Sequence, residues 1–112
     1  MTEQIPTHIW LDSQIRRLSL LGHYVMIVRR GNPSSGTIIL QCRYRDGTSH
    51  IYTQTRDATG ELAWLTALSG NAVADRDADA YIRDAIAFDP DAWAVEIAWD
   101  NKGTVPFEGR IV

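Results

Sequence analysis

Residues 37–55 constrain the fold more than any other stretch of the chain. TIILQCRYR alternates apolar and polar side chains, Asp-Gly follows at 46–47, and the alternation resumes in TSHIYTQT. Strict alternation marks a half-buried strand, and Asp-Gly between two such runs marks a hairpin. A two-residue turn at Asp46-Gly47 predicts Arg45 opposite Thr48, Arg43 opposite His50, Cys42 opposite Ile51 and Gln41 opposite Tyr52. One sheet face then carries Ile38, Leu40, Cys42 and Ile51. The other carries Gln41, Arg43, His50 and Tyr52.

The remaining segments supply partners for this hairpin. HYVMIVRR (23–30) is apolar on both faces and predicts a central strand. ELAWLTALS (61–69) fits a strand or a short helix, and AWAVEIAW (92–99) a last strand. THIWL (7–11) has strand character. Asp12 can then cap a helix in DSQIRRLSLLG, with Leu11, Ile15, Leu18 and Leu21 near helical spacing and Gly22 as the stop. The alternative is a helix that starts earlier, capped by Thr7. The clearest helix spans 74–88, where Ala78, Tyr81, Ile82, Ala85 and Ile86 form one apolar stripe. Asp75, Asp77 and Asp79 crowd its positive end, and Pro90 terminates it. RDATGE (56–61) is a turn, GNAVAD (70–75) a linker, and TVPFEGRIV a short edge piece limited by Pro106. The expected fold is α+β: a mainly antiparallel sheet of about five strands with two helices packed on one face, in a single domain spanning residues 1–112.

A chain of 112 residues is long enough to fold around one core without disulfides or metal. Its apolar runs have strand length and fall well short of a membrane span. MTEQIPTH has no basic segment followed by an apolar one, so no secretory signal is expected. The single cysteine, Cys42, fits a reducing cytoplasm. The net charge of −3 is unevenly spread. Residues 1–56 hold seven arginines against Glu3, Asp12 and Asp46, a balance of +4, whereas residues 57–112 carry −7. That asymmetry makes a basic face possible if the halves stay apart. An acidic chain argues against nucleic acid as the partner.

The order PTHIWL…IRR, VRRGNPSSGTIIL, RYRDGTSHIYTQT, FDPDAWAVEIAW resembles a family of short alphaproteobacterial proteins, the domain-of-unknown-function family fourteen-ninety-one. The likeness covers roughly residues 5–100, with RRGxPxxG and FDPDxWxxEI as its most specific stretches. It implies a small bacterial, cytoplasmic α+β protein and no assigned activity, so no catalytic residues carry over.

Three stretches could hold chemistry. VRRGNPSSG (28–36) has arginines and glycines but connects two strands. It lacks the GK[ST] ending and the GxGxxG spacing, and Pro33 removes an N–H donor, so it is not a phosphate loop. Gly31 and Gly36 are expected to supply unusual φ angles, and Asn32-Pro33 to start a turn. Arg29 and Arg30 point to opposite faces. Arg43 and His50, with Tyr52 nearby, form a basic and aromatic sheet face, which the acidic helix can cover through Arg–Asp pairs. FDPDAW (88–93) holds Asp89 and Asp91, which could serve a metal or acid–base chemistry. A helix-to-strand corner explains them as well, with Phe88 and Trp93 anchoring the core. His8, His23 and His50 are scattered, and no HExxH, CxxC or GxSxG occurs. Cys42 falls on an apolar face and is expected to be inert.

The expectation is therefore a non-enzymatic module that recognises a protein partner through a sheet face or edge strand, with Arg29, Arg30, Arg43 and Tyr52 as binding residues. No catalytic residue, cofactor or metal is assigned. Self-association as a homodimer is possible in principle. Polyanion or nucleotide binding by the arginine-rich half is the alternative, and an enzyme using Asp89 and Asp91 the second alternative.

Overall fold

A computed structural model describes residues 5–112. The elements run α1 (Thr7–Leu20), β1 (Val25–Arg29), β2 (Ile38–Arg43), β3 (Thr48–Arg56), β4 (Leu62–Thr66), a short 3₁₀ turn (Leu68–Gly70), β5 (Val73–Ala74), α2 (Asp75–Phe88), β6 (Trp93–Ala98) and β7 (Arg110–Ile111). Among the described residues the sheet has seven strands in the order β1-β6-β2-β3-β4-β7, with β5 paired to β3. It is mixed rather than mainly antiparallel: β6 returns parallel to β2, and β7 parallel to β4. It also holds more than the five strands expected: the two-residue β5 lies in the stretch read as a linker, and the two-residue β7 lies in the stretch expected to add a short edge piece.

The hairpin forms at the expected place but one residue out of register. The observed pairs are Leu40↔Tyr52, Gln41↔Ile51, Cys42↔His50 and Arg43↔Ser49. Tyr44 N–H bonds Thr48 O at 2.8 Å and Gly47 N–H bonds Tyr44 O at 3.2 Å. The loop thus has three residues, Arg45-Asp46-Gly47, and Gly47 adopts the φ of 84° that such a loop demands at its last position. Asp46 Oδ1 accepts from Thr48 N–H and Oγ1–H, which closes the longer loop. A one-residue slip exchanges faces. Tyr52 and His50 therefore join Leu40 and Cys42, while Arg43 and Gln41 join Ser49 and Ile51.

Two cores result, one on each side of the sheet, so the helices do not share a face. On one side Trp10, Leu11 and Leu18 of α1 pack with Leu40, Cys42, Tyr52, Trp64, Trp93 and Val95. On the other, Ala78 and Ile82 of α2 pack with Ile39, Ile51 and Ala94, flanked by Tyr81, Ala85 and Ile86. The α2 stripe matches its 3.6-residue spacing. Strands that are apolar on both faces accept a helix on each side.

Residues 7–11 are helical, against the expected strand. Asp12 lies inside α1, and the helix begins at Thr7, with Pro6 at its N-cap and no side-chain cap. Its first amides find partners in the 31–36 loop instead. Thr7 N–H bonds Ser34 O at 3.2 Å and His8 N–H bonds Pro33 O at 2.9 Å. Thr7 Oγ1–H donates to Gly36 O. Helix-starting amides need acceptors, and here a distant loop supplies them. Gly22 does end α1, with φ 89° and the paired bonds Gly22 N–H to Ser19 O and His23 N–H to Leu18 O.

Three smaller expectations also change. Segment 23–30 yields an edge strand, not a central one, because β6 inserts between β1 and β2. Phe88 is 92 % exposed and anchors nothing, whereas Trp93 is buried as expected. Gly31 and Gly36 do not have positive φ; they are small because Asp91 O passes close to both.

The 56–61 turn is held by Asp57, whose Oδ1 accepts from Thr59 Oγ1–H, Thr59 N–H and Glu61 N–H and whose Oδ2 accepts from Arg110. The Thr59 hydroxyl leads in holding this carboxyl at about 2, and the Lys102 ammonium does the same for Asp46, also at about 2. A depressed carboxyl stabilises the fold above the unfolded value near 4 and loses that contribution as pH falls through its folded value. Asp57→Asn and Asp46→Asn should each melt below the parent at neutral pH, with the gap closing between about pH 4 and pH 2. A gap that stays constant across that window would remove these carboxylates from the acid response.

Candidate functional site

The residues singled out in the sequence separate in space. Arg29 lies on the α2 side, where Nη1–H donates to Ile86 O at 2.8 Å and Nη2–H to Pro90 O at 3.1 Å. It ties the end of α2 to the sheet. Arg30 points elsewhere, its guanidinium 5.2 Å from the centre of the Trp93 ring. A register break between Ile27 and Arg29 turns Arg29 to the α2 side, away from the face of Val25 and Ile27, and Arg30 follows just beyond β1.

Arg43 sits on the α2 face at the centre of three carboxylates. Nη1 lies 2.9 Å from Glu96 Oε1 and 3.0 Å from Asp79 Oδ1, and Nη2 lies 3.5 Å from Asp75 Oδ2. Gln41 and Ser49 extend the network to Asp79 and Asp75. Burial pulls the guanidinium pKa down, but Glu96, Asp75 and Asp79 outweigh it and the net shift is upward. Arg–Asp pairs with the acidic helix thus form as the sequence suggested, which neutralises Arg43.

Tyr52 is buried on the opposite face, and burial raises its phenol well above the usual range. Beside it Tyr44 Oη lies 2.6 Å from His50 Nδ1. Cys42 is fully buried and its thiol is pushed up to about 12 by that burial, as suits an inert core residue. Asp89 Oδ1 accepts from Asp91 N–H at 3.1 Å and forms the helix-to-strand corner. Asp91 contributes its backbone oxygen, which accepts from Asn32 N–H at 2.9 Å. Among the described residues no group of three or more His, Cys, Asp and Glu side chains is placed to hold a metal ion. Among them, too, no helix is long and apolar enough to cross a membrane.

The feature that sequence reasoning missed is the free edge of β1. Among the described residues this five-residue strand has a partner, β6, on one side alone. Its side chains alternate: Val25 and Ile27 pack inward, while Tyr24, Met26 and Val28 are 76, 41 and 54 % exposed. A register break between Ile27 and Arg29 marks a bulge near its end. Leu20 and Leu21, just before the strand, are exposed as well. An edge strand presents unpaired N–H and C=O groups, and proteins usually protect such edges with charge or cover. Here three apolar side chains stand beside them, with Arg30 only at the far end. The other edge of the sheet is closed at its tip by the two-residue β7. The run YVMIV is what betrays this edge in the sequence, but the same run suits a buried strand equally well.

Comparison with known proteins agrees with this architecture. The family model described as "Protein of unknown function (DUF1491)" matches residues 5–107. A crystal structure of a DUF1491 family protein from Caulobacter crescentus superposes with a TM-score of 0.84 at 27 % identity, covering 97 % of this chain and 100 % of that one. An NMR structure of a DUF1491 family protein from the same organism gives 0.81 at 28 % identity, covering 99 % of each chain. A solution structure of a protein from A. tumefaciens shares the fold, with a TM-score of 0.74 at 23 % identity over 96 % of this chain and 97 % of that one. No curated protein matches the chain.

Proposed function

We propose that this chain, which belongs to the DUF1491 family of proteins of unknown function, is a non-enzymatic interaction module whose β1 edge accepts an extended segment of a partner protein. The observation that carries this reading is the edge of β1 that, among the described residues, faces no further strand, with Tyr24, Met26 and Val28 exposed beside it. Strand addition draws its affinity from main-chain hydrogen bonds and its selectivity from alternate side chains. The partner is accordingly an extended, apolar segment rather than a charged one. Of the binding residues expected from the sequence, Arg30, just beyond β1, is the one that is exposed near this edge. Polyanion binding by the N-terminal half is weaker support for a function, because Arg29 and Arg43 spend their donors on α2 and its carboxylates. A role for Asp89 as acid or base competes with its bond to Asp91 N–H.

A second copy of the chain is the alternative occupant. Antiparallel pairing of two β1 strands about Met26 would set Met26 against Met26 and Tyr24 against Val28, a self-complementary apolar row.

The test is selection of extended peptides from a random display library, followed by amide exchange on the complex. Bound peptide should slow exchange along β1 by about tenfold or more, and Met26→Lys with Val28→Lys should abolish binding while leaving the fold intact. Protection that appears only elsewhere, or binding that survives both lysines, would overturn the assignment. Sedimentation at rising concentration separates the two occupants, since a β1 dimer dissociates in the same lysine variant.

A further inference from the structure

Three strands away from β1, between the start of α1 and the far ends of β3 and β4, lies a cleft of about 750 Å³. Its apolar wall is Ile5, Trp10 and Leu62. Gln54 and the exposed Arg56 line it from β3; they share the parity of Tyr52 and therefore lie on the α1 face of the sheet. Glu61 and Glu108 stand at the rim, and the Ser34–Thr37 strand connection closes the remaining side.

Two features of this cleft lack internal partners. Among the described residues Arg56 makes one hydrogen bond, to Gly60 O at 3.1 Å, and no ion pair. Glu61 and Glu108 likewise meet no cation within salt-bridge distance. The neighbouring pair Arg110–Asp57, at 3.0 Å, is by contrast complete. Charges of both signs are thus present in one concavity and unspent. The second feature is Trp10, which is 9 % exposed and whose Nε1–H is buried without an acceptor. Trp64 Nε1–H, its neighbour in the same aromatic cluster, bonds Glu108 O at 3.0 Å. Buried indole N–H groups usually find a partner, so an orphan in the wall of a cleft calls for one.

We propose that this cleft binds a free α-amino acid with an apolar side chain. An anion alone would meet Arg56 but also two carboxylates, and a cation alone would meet the reverse. A zwitterion meets both signs. Its carboxylate pairs with the Arg56 guanidinium, for which the planar fork is suited. Its ammonium pairs with Glu61 and Glu108. Its side chain lies on Ile5, Trp10 and Leu62. The second carboxylate oxygen is the acceptor that Trp10 Nε1–H lacks. That N–H is closed to water, so reaching it requires the wall to open slightly, and its signal is the sensitive reporter.

The experiment is a titration of the isotope-labelled protein with leucine, followed by the indole N–H cross-peaks of its four tryptophans. Leucine should move the Trp10 signal saturably, with a Kd of about 1 mM or tighter. N-acetyl-leucine and leucinamide, which each lack one charge, should bind about tenfold more weakly. Arg56→Gln, at a surface position that leaves the fold spectrum unchanged, should weaken leucine by a similar factor, and Glu108→Gln should do so with its amide spectrum otherwise intact. A Trp10 signal that stays fixed with leucine and phenylalanine up to about 20 mM would overturn the proposal. So would equal binding of the blocked analogues, because the charge match would then play no part. Binding at β1 is read by different signals and stands or falls separately.

Discussion

Gly36→Ala is expected to destabilise the fold by about 3 kcal/mol or more, lowering Tm by roughly 12 °C. A Cβ placed on Gly36 would lie 2.2 Å from Asp91 O, 2.8 Å from Trp93 Cδ1 and 2.9 Å from Trp93 Nε1. None of these atoms can retreat cheaply. Asp91 O already accepts from Asn32 N–H at 2.9 Å, and Trp93 is 1 % exposed with its Nε1–H bonded to Asn32 O at 2.8 Å. Moving the loop instead would pull Pro33 O, Ser34 O and Gly36 O away from the first turn of α1, which depends on them. The opening of α1, the strand connection and the start of β6 therefore fail together. Gly60 provides the contrast. Its φ is +85° but nothing lies within 4 Å of its Cβ position. Gly60→Ala should lose only the strain of a left-handed alanine, about 1 kcal/mol. Denaturant unfolding of both variants checks the account. A loss at Gly36 no larger than at Gly60 would mean that close approach does not hold this corner.

Elements with local causes were legible in the sequence, and elements with distant causes were not. Helix α2 followed from the spacing of Ala78, Ile82 and Ile86, because a helix writes its buried face into a 3.6-residue period. The hairpin followed from alternation and Asp-Gly. Its register did not, because whether Arg45 belongs to the strand or to the loop is decided by Asp46, which stays out of the left-handed region that a two-residue turn demands of it and bonds Thr48 instead. That one residue moved Tyr52 from the Arg43 face into the α1 core. The first turn of α1 looked like a strand because its acceptors are about 25 residues downstream in the loop. The edge position of β1 depends on β6 returning parallel to β2, and nothing in 23–30 encodes that insertion. Of the expected binding residues, Arg29 and Arg43 hold the fold together, and Tyr52 is core. The exposure of β1 is not legible in the sequence because an apolar strand gives the same pattern whether buried or waiting for a partner.

Arg43→Met should cost about 2 kcal/mol, nearly all of it from the carboxylates left behind. The side chain brings Glu96, Asp79 and Asp75 within 3.5 Å of one guanidinium. Methionine keeps much of the packing volume but removes the only cation in the group, so three acids face one another where α2 meets the sheet. Removing one member of a fully buried network costs more than this. Here Arg43 is 31 % and Asp79 49 % exposed, and solvent screens part of the repulsion. Two further measurements separate charge from packing. Added salt should narrow the gap between Arg43→Met and the parent, since screening weakens repulsion among the acids. Glu96→Gln and Asp79→Asn, introduced together into the Arg43→Met background, should recover most of the lost stability, although the same pair of changes alone would disturb the parent. An Arg43→Met protein within about 0.5 kcal/mol of the parent would show that Ala78, Ile82 and Ile86 dock α2 without electrostatic help. In that case Arg43 would be free to serve a partner, as its position in the sequence first suggested.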